Sequence, residues 1–356
     1  MLGHDHSLEF FRTAFELLPS LTTLHLSCSI IEYNVFQYIV KLAKQLHRFY
    51  LSFERILDDS ETDKQDLIEI PDMEQTQLKE LGLESDMMPQ ESLLISFLKA
   101  SPKLEKLSLP IFEPESTKTI TAIMRRFCPK LRDIDISMAH LGLTDDDITD
   151  LIHSCSASGL RSFRTFDRVG FVPQAMDRLC ANSATLECIH ISTIGQEGLK
   201  TVQKLLTSCP NLRKFTVVED PSTIPASALQ IDELLKEPWI CVKLEVLNMP
   251  LTGVCTSAAE GENKNDGLDY HRDLYMQLSK LTRLQELSVR FSYFWGGVRG
   301  TSPRFSLESG LDLLRGLKYI RSLNLEYSND VRREELEWMV EHWPNLERVV
   351  GIEFYD

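Results

Sequence analysis

The chain of 356 residues carries 53 acidic against 38 basic side chains, and its formal charge of -15 repels polyphosphate backbones and anionic lipid surfaces, which argues against nucleic acid or membrane as partner. A composition that is 43% hydrophobic and 26% charged is that of a folded soluble protein, and no run of 18 or more apolar residues is available to span a bilayer. Eight scattered cysteines without a CxxC pair exclude a secreted disulfide scaffold and a thiolate zinc site, so they read as reduced thiols.

Taken in chain order, the residues Met1 to His6 lack the basic stretch and apolar run of a signal peptide, which places the expected setting in the cytoplasm or nucleus. One helix is predicted in residues 1–20, with Leu8, Phe11, Phe15 and Leu18 on one face. From there a short pattern recurs: an apolar residue, two others, an apolar residue, one other, an apolar residue. It begins as Leu21, Leu24, Leu26, then Leu46, Phe49, Leu51, then Leu78, Leu81, Leu83. It continues from Leu104, Leu131, Leu160, Leu186, Leu212, Leu244, Leu284 and Ile320 to a twelfth copy at Leu346, Val349, Gly351. First positions lie 25, 32, 26, 27, 29, 26, 26, 32, 40, 36 and 26 residues apart, so the basic unit is about 26 residues and four steps hold insertions.

Between the triplets the spacing turns helical. Ile120, Ile123, Met124 and Phe127 fall at i, i+3, i+4 and i+7, as do Ile148, Leu151, Ile152 and Cys155. Thr144 ahead of Asp145, Asp146 and Asp147 supplies a helix N-cap with negative charge in the first turn. Helix ends are expected at Ser101-Pro102, Cys128-Pro129, Cys209-Pro210 and Trp343-Pro344, because a residue before proline is pushed out of helical geometry. One strand and one helix cannot bury both apolar faces alone, so the units must stack. The expected fold is a single α/β solenoid domain over 1–356, a right-handed horseshoe of about 12 repeats with parallel strands on the concave side and helices on the convex side. Insertions are expected near 55–77, 219–227, 251–267 and 291–305, all following a strand and so on one rim.

The units Cys128-Pro129-Lys130-Leu131-Arg132-Asp133-Ile134 and Cys209-Pro210-Asn211-Leu212-Arg213-Lys214-Phe215 resemble the cysteine-containing leucine-rich repeats of F-box proteins, the substrate receptors of SCF ubiquitin ligases. The likeness spans roughly residues 8–352. It implies a protein-interaction scaffold of the ubiquitin-conjugation pathway, a monomer that recognises a protein substrate. Two departures stand out. The family's cysteine or asparagine three residues past the third apolar position is replaced here by Ser29, Glu54, Asp86, Phe112 and Ala139, and residues 1–20 contain no F-box. A Skp adaptor and cullin are therefore partners only if an F-box lies upstream, and a preceding domain is expected, since Phe10, Phe11 and Phe15 make a poor solenoid cap.

Strand side chains alternate, so the residues just before the second and third apolar positions face the groove. Arg48, Glu80, Lys106 and Asp133 form one row of alternating charge; Tyr50, Asp135, Arg164 and His190 stand in the row beside it, and Lys214 lies further along the first. This row reads either as a self-neutralised ladder fixing register or as a charge code for a partner. Partner binding is expected at Arg48, Tyr50, Arg164, His190 and Lys214, and in the last insertion at Phe291, Tyr293, Phe294, Trp295 and Arg299, since aromatics and arginine dominate binding hot spots. The same loop rings could instead pack back on their own repeat.

Chemistry is not expected. His4 and His6 lack a third metal ligand; Cys188 and His190 sit about 6 to 7 Å apart on one strand face; Asp133 and Asp135 lie on an open groove where nothing separates their pKa values. The run from Gly296 to Gly300 lacks the lysine and Ser/Thr of a phosphate-binding loop. No catalytic residue, cofactor or metal is assigned, and the chain is expected to bind rather than catalyse. The alternative function is a direct regulator of an enzyme or GTPase, of the ribonuclease-inhibitor or Ran GTPase-activator kind, which would favour a strongly acidic groove on longer units.

Overall fold

The computed structural model describes residues 4–57, 75–84, 91–109, 114–136, 143–155, 159–165, 173–193, 195–219, 229–230, 234–252, 266–291, 305–325 and 331–351. The chain divides into two compact units, Met1–Asp167 and Arg168–Asp356. Both are α/β, with helices alternating with parallel strands in the manner of a solenoid.

In the first unit the order is α1 (His4–Glu16), β1 (Thr23–Glu32), α2 (Tyr33–Leu42), β2 (Arg48–Leu57), β3 (Glu80–Glu84), α3 (Glu91–Ala100), β4 (Lys106–Ser108), α4 (Thr117–Phe127), β5 (Asp133–Asp135), α5 (Asp145–Ser154) and β6 (Ser162–Arg164). Its strands lie side by side in sequence order, β1 to β6, every pair parallel. The second unit holds α6 (Pro173–Ala181), β7 (Cys188–Thr193), α7 (Gly195–Ser208), β8 (Lys214–Glu219), β9 (Leu229–Gln230), β10 (Val246–Thr252), α8 (Asp266–Leu278), β11 (Glu286–Phe291), β12 (Ser322–Asn324), α9 (Arg333–His342) and β13 (Arg348–Val350). There the order is β7-β8-β10-β11-β12-β13, with β9 against the end of β10. Strands in sequence order can be parallel only because each connection is long enough to cross back, as the connections through α3, α4, α5, α7 and α9 do.

The register follows the triplets. Leu24, Phe49, Leu81, Leu107, Ile134 and Phe163 stand beside one another across the first unit. Ile189, Phe215, Leu247, Leu287, Leu323 and Val349 do so across the second. Within these rows every side chain from Phe49 to Phe163 and from Ile189 to Leu323 is buried, while Leu24 and Val349, at the row ends, are only half-buried. Each interior Leu, Ile or Phe contributes roughly 1.5 to 3 kcal/mol through its burial. A backbone signature repeats with them. The carbonyl two residues before the second apolar position accepts two N–H groups of the next strand, at Thr22, His47, Lys79, Glu105 and Arg132 in the first unit and at Glu187, Arg213, Glu245, Gln285 and Arg321 in the second.

The helices start and stop where side-chain chemistry requires. Thr144 caps α5: its Oγ1 accepts from the Asp147 N–H at 3.3 Å while the Asp147 carboxylate accepts from the Thr144 N–H at 2.8 Å, a reciprocal pair that satisfies two end donors. Ile148, Leu151, Ile152 and Cys155 are all buried; in α4, Ile120 and Met124 are buried and Ile123 and Phe127 half-buried. α3, α4, α7 and α9 end immediately before Ser101, Cys128, Cys209 and Trp343, each followed by proline. These pre-proline residues bridge repeats. The Cys128 thiol donates to the Leu98 carbonyl at 3.3 Å, and the Trp343 indole N–H donates to the Leu314 carbonyl at 3.1 Å, so each adds a second donor to a carbonyl that already accepts a backbone N–H near the end of the preceding helical segment.

Three elements differ from the sequence reading. Leu18, placed on the face of the first helix, lies beyond α1 and is exposed, because the helix stops at Glu16. β1 and β2 run for ten residues each instead of the three of β4 or β5, paired as far as Glu32 and Leu57. Between β11 and β12 the expected helix is a 3-10 segment, Leu311–Gly316. Gly310 enters it in the left-handed region at φ 100°, which a glycine adopts without strain, and the tighter coil brings Leu311 and Leu314 onto one buried side.

Candidate functional site

Opposite the buried rows, the intervening strand positions are exposed or half-buried throughout, save Gly82, Ser108 and Asp133. This face is polar. In the first unit its register sets Thr23, Arg48, Glu80, Lys106, Asp133 and Ser162 in one row and His25, Tyr50, Gly82, Ser108, Asp135 and Arg164 in the next.

Arg48 Nε lies 3.0 Å from Glu80 Oε1, and Arg164 Nη1 lies 3.3 Å from Asp135 Oδ2, so both expected charge pairs form on the same face. Lys106 and Asp133, neighbours in the row, do not pair. Asp133 is taken by Arg161, whose Nε donates at 2.9 Å and whose Nη2 donates to the second carboxylate oxygen, a bidentate grip that buries the acid. Arg161 stands one residue ahead of β6, in a rim row that the groove alternation alone does not include. That row carries its own ion pairs: Arg132 with Glu105 in the first unit, and Arg213 with Glu245 at 2.6 Å in the second. The alternation of charge at these rim positions, Lys79, Glu105, Arg132 and Glu187, Arg213, Glu245, was the signal available for them in the sequence.

Tyr50 is the centre of the first unit's face. Its hydroxyl donates to Glu80 Oε2 at 2.8 Å, its ring stands 5.6 Å from that of His25, and Lys106 places its ammonium 5.6 Å from the ring centroid on a cation–π contact. Burial, reinforced by the hydrogen bond and charge of Glu80 and by Asp135, pushes the phenol above its ordinary value, so it stays a neutral donor at neutral pH. The ring lies across Gly82, where an added Cβ would meet Tyr50 Cε1 at 2.9 Å and Cδ1 closer still. Gly82 is the one glycine among the twelve residues just before a third apolar position, and it completes a constellation in which the sequence had placed Glu80 and Lys106 in the charged row and expected partner binding at Arg48 and Tyr50.

In the second unit, Lys214 is exposed between Cys188 and Val246, and His190 is half-buried beside Thr216. Phe291 ends β11 beside Leu251. Tyr293, Phe294, Trp295 and Arg299 lie outside the described residues, as does most of every expected insertion. The buried thiols Cys128, Cys155, Cys209 and Cys241 are each pushed up to about 12 by desolvation, which holds them in the unreactive protonated form. Among the described residues no three His, Cys, Asp or Glu side chains gather as a metal site, and no helix is long and apolar enough to cross a membrane. No known protein family matches the sequence, and no curated protein does.

Proposed function

We propose that this chain is a leucine-rich-repeat protein-interaction module, similar to the substrate-recognition region of an F-box protein, that binds a protein partner on the polar face of its strands and catalyses no reaction. The observation that carries the reading is the division of the interior strands: apolar triplets sealed in the core, and ion-paired Arg48, Glu80, Asp135 and Arg164 around Tyr50 on the side left open. Side chains fixed by neighbouring strands lose little conformational freedom on binding, which favours affinity. The step of about 26 residues and the Cys-Pro helix ends support the repeat type. The unpaired cysteines fit a reducing cytoplasmic or nuclear setting, and a Skp adaptor and cullin belong to this account only with an F-box ahead of residue 1.

The test is affinity capture of partners by the intact chain against two variants. Tyr50→Ala with Arg164→Glu should lose the captured partner, whereas Arg125→Glu, on the helix side, should keep it. Equal capture by all three chains, each folded by circular dichroism, would refute the assignment.

A further inference from the structure

Within the two rows that hold Arg48 and Tyr50, the polar face of the first unit carries more positive charge than the open acids of those rows, and we propose that these rows receive an acidic segment of a partner protein, with carboxylates seated at Lys106 and beside Arg48 and Arg164. The inference rests on the reading of this face as a protein-binding surface and adds the chemistry of what binds. Three cations stand in the two rows, Arg48, Lys106 and Arg164, but only two open acids, Glu80 and Asp135, because Asp133 is buried under Nε and Nη2 of Arg161. Glu80 serves Arg48 and the Tyr50 hydroxyl together, and Asp135 serves Arg164. Lys106 is left over. Its ammonium rests against the Tyr50 ring, and no carboxylate of the described residues lies within ion-pair distance of it.

The flanking guanidiniums are also unfinished. Their side chains are 58% and 46% exposed, and of the five N–H donors on each guanidinium the neighbouring carboxylate meets one nitrogen, Nε of Arg48 and Nη1 of Arg164. Gly82 makes the geometry: without a Cβ it lets Tyr50 lie down on the sheet, and the flat ring holds Lys106 between the two arginines. Arg48 to Lys106 is two strand steps, about 9.6 Å at the usual spacing. A peptide crossing the strands in polyproline-II geometry presents every third side chain to the sheet at about 9.3 Å, so acids three residues apart fall on successive cations. Because the chain as a whole is at -15, an acidic segment is repelled elsewhere and guided to this face.

Random peptides of about twelve residues displayed on phage and selected on the full-length chain test this directly. The expected peptides are enriched in Asp and Glu at three-residue spacing. Their capture should fall about tenfold with Lys106→Glu or Arg164→Glu, less with Lys106→Ala, and fall again as salt rises from about 0.1 to about 1 M. The proposal is overturned if the selected peptides show no acidic excess, or if Lys106→Glu captures them as well as the parent. Non-acidic peptides whose capture is lost with Tyr50→Ala would overturn it while leaving the face a protein-binding surface. A selection in which no peptide depends on any residue of the face would overturn both.

Discussion

Alanine at Gly82 probes the seating of Tyr50 with a single methyl group. Carbon atoms prefer about 3.5 to 4.0 Å, whereas the new Cβ would stand 2.9 Å from Tyr50 Cε1 and nearer to Cδ1, so the ring must lift off the sheet. It then gives up the hydrogen bond to Glu80, worth about 1 kcal/mol at a half-buried site, and the contact with Lys106, about 0.5 to 1 kcal/mol. Gly82 is not among the positive-φ glycines, so alanine meets no backbone strain and returns about 0.5 to 1 kcal/mol as a better strand residue. The net loss for Gly82→Ala is about 1 kcal/mol. In a Tyr50→Ala background nothing obstructs the methyl, and the same change should stabilise by about 0.5 to 1 kcal/mol, which makes the coupling between the two sites about 2 kcal/mol. Urea unfolding of the four chains measures it. A coupling below about 0.5 kcal/mol, with the same sign in both backgrounds, would mean the ring does not lie on Gly82.

Other parts of the account are open to the same kind of check. Thr144→Ala removes the reciprocal cap of α5 and should destabilise by about 1 kcal/mol, read as faster hydrogen exchange of the first α5 amides; unchanged exchange would discount the cap. Asp133→Asn strips the buried acid from the Arg161 fork and should cost about 1 to 3 kcal/mol in chemical denaturation, whereas Asp150→Asn, facing Arg125 on the exposed helix side at 3.3 Å, should cost at most about 1 kcal/mol. Cys128, Cys155, Cys209 and Cys241 are raised from 9.0 to about 12, so the folded chain retains protons that the unfolded chain releases. Stability from them is intact below pH 9 and falls between pH 9 and 12, by about 1.4 kcal/mol per pH unit per thiol, and the urea midpoint should drop between pH 8 and 10. A midpoint independent of pH over that interval would contradict their burial.

The architecture was legible because its signal is periodic and redundant. Phe49, Leu81, Leu107 and Ile134 are buried for the reason their spacing gives, and register follows from aligning triplets, so Arg48 beside Glu80 and Asp135 beside Arg164 could be read from residue numbers alone. What spacing does not encode is reach. Lys106 and Asp133 are neighbours in register, yet the longer guanidinium of Arg161, with two parallel donors, outcompetes an ammonium for the acid. Nor does spacing show a ring lying flat: Tyr50 turns toward β3 only because Gly82 leaves room, and a single missing Cβ has no periodic signature. The 3-10 segment at Leu311–Gly316 escaped for a similar reason, since Leu311 and Leu314 at i and i+3 suit either coil until Gly310 sets the entry.

Photo-crosslinking from defined positions tests partner binding on the strand face most directly. With a benzophenone side chain introduced separately at Tyr50, at Arg164 and, on the helix side, at Arg126, the account predicts partner adducts from Tyr50 and Arg164 and none from Arg126. Adducts from Arg126 alone, or equally from all three positions, would contradict it.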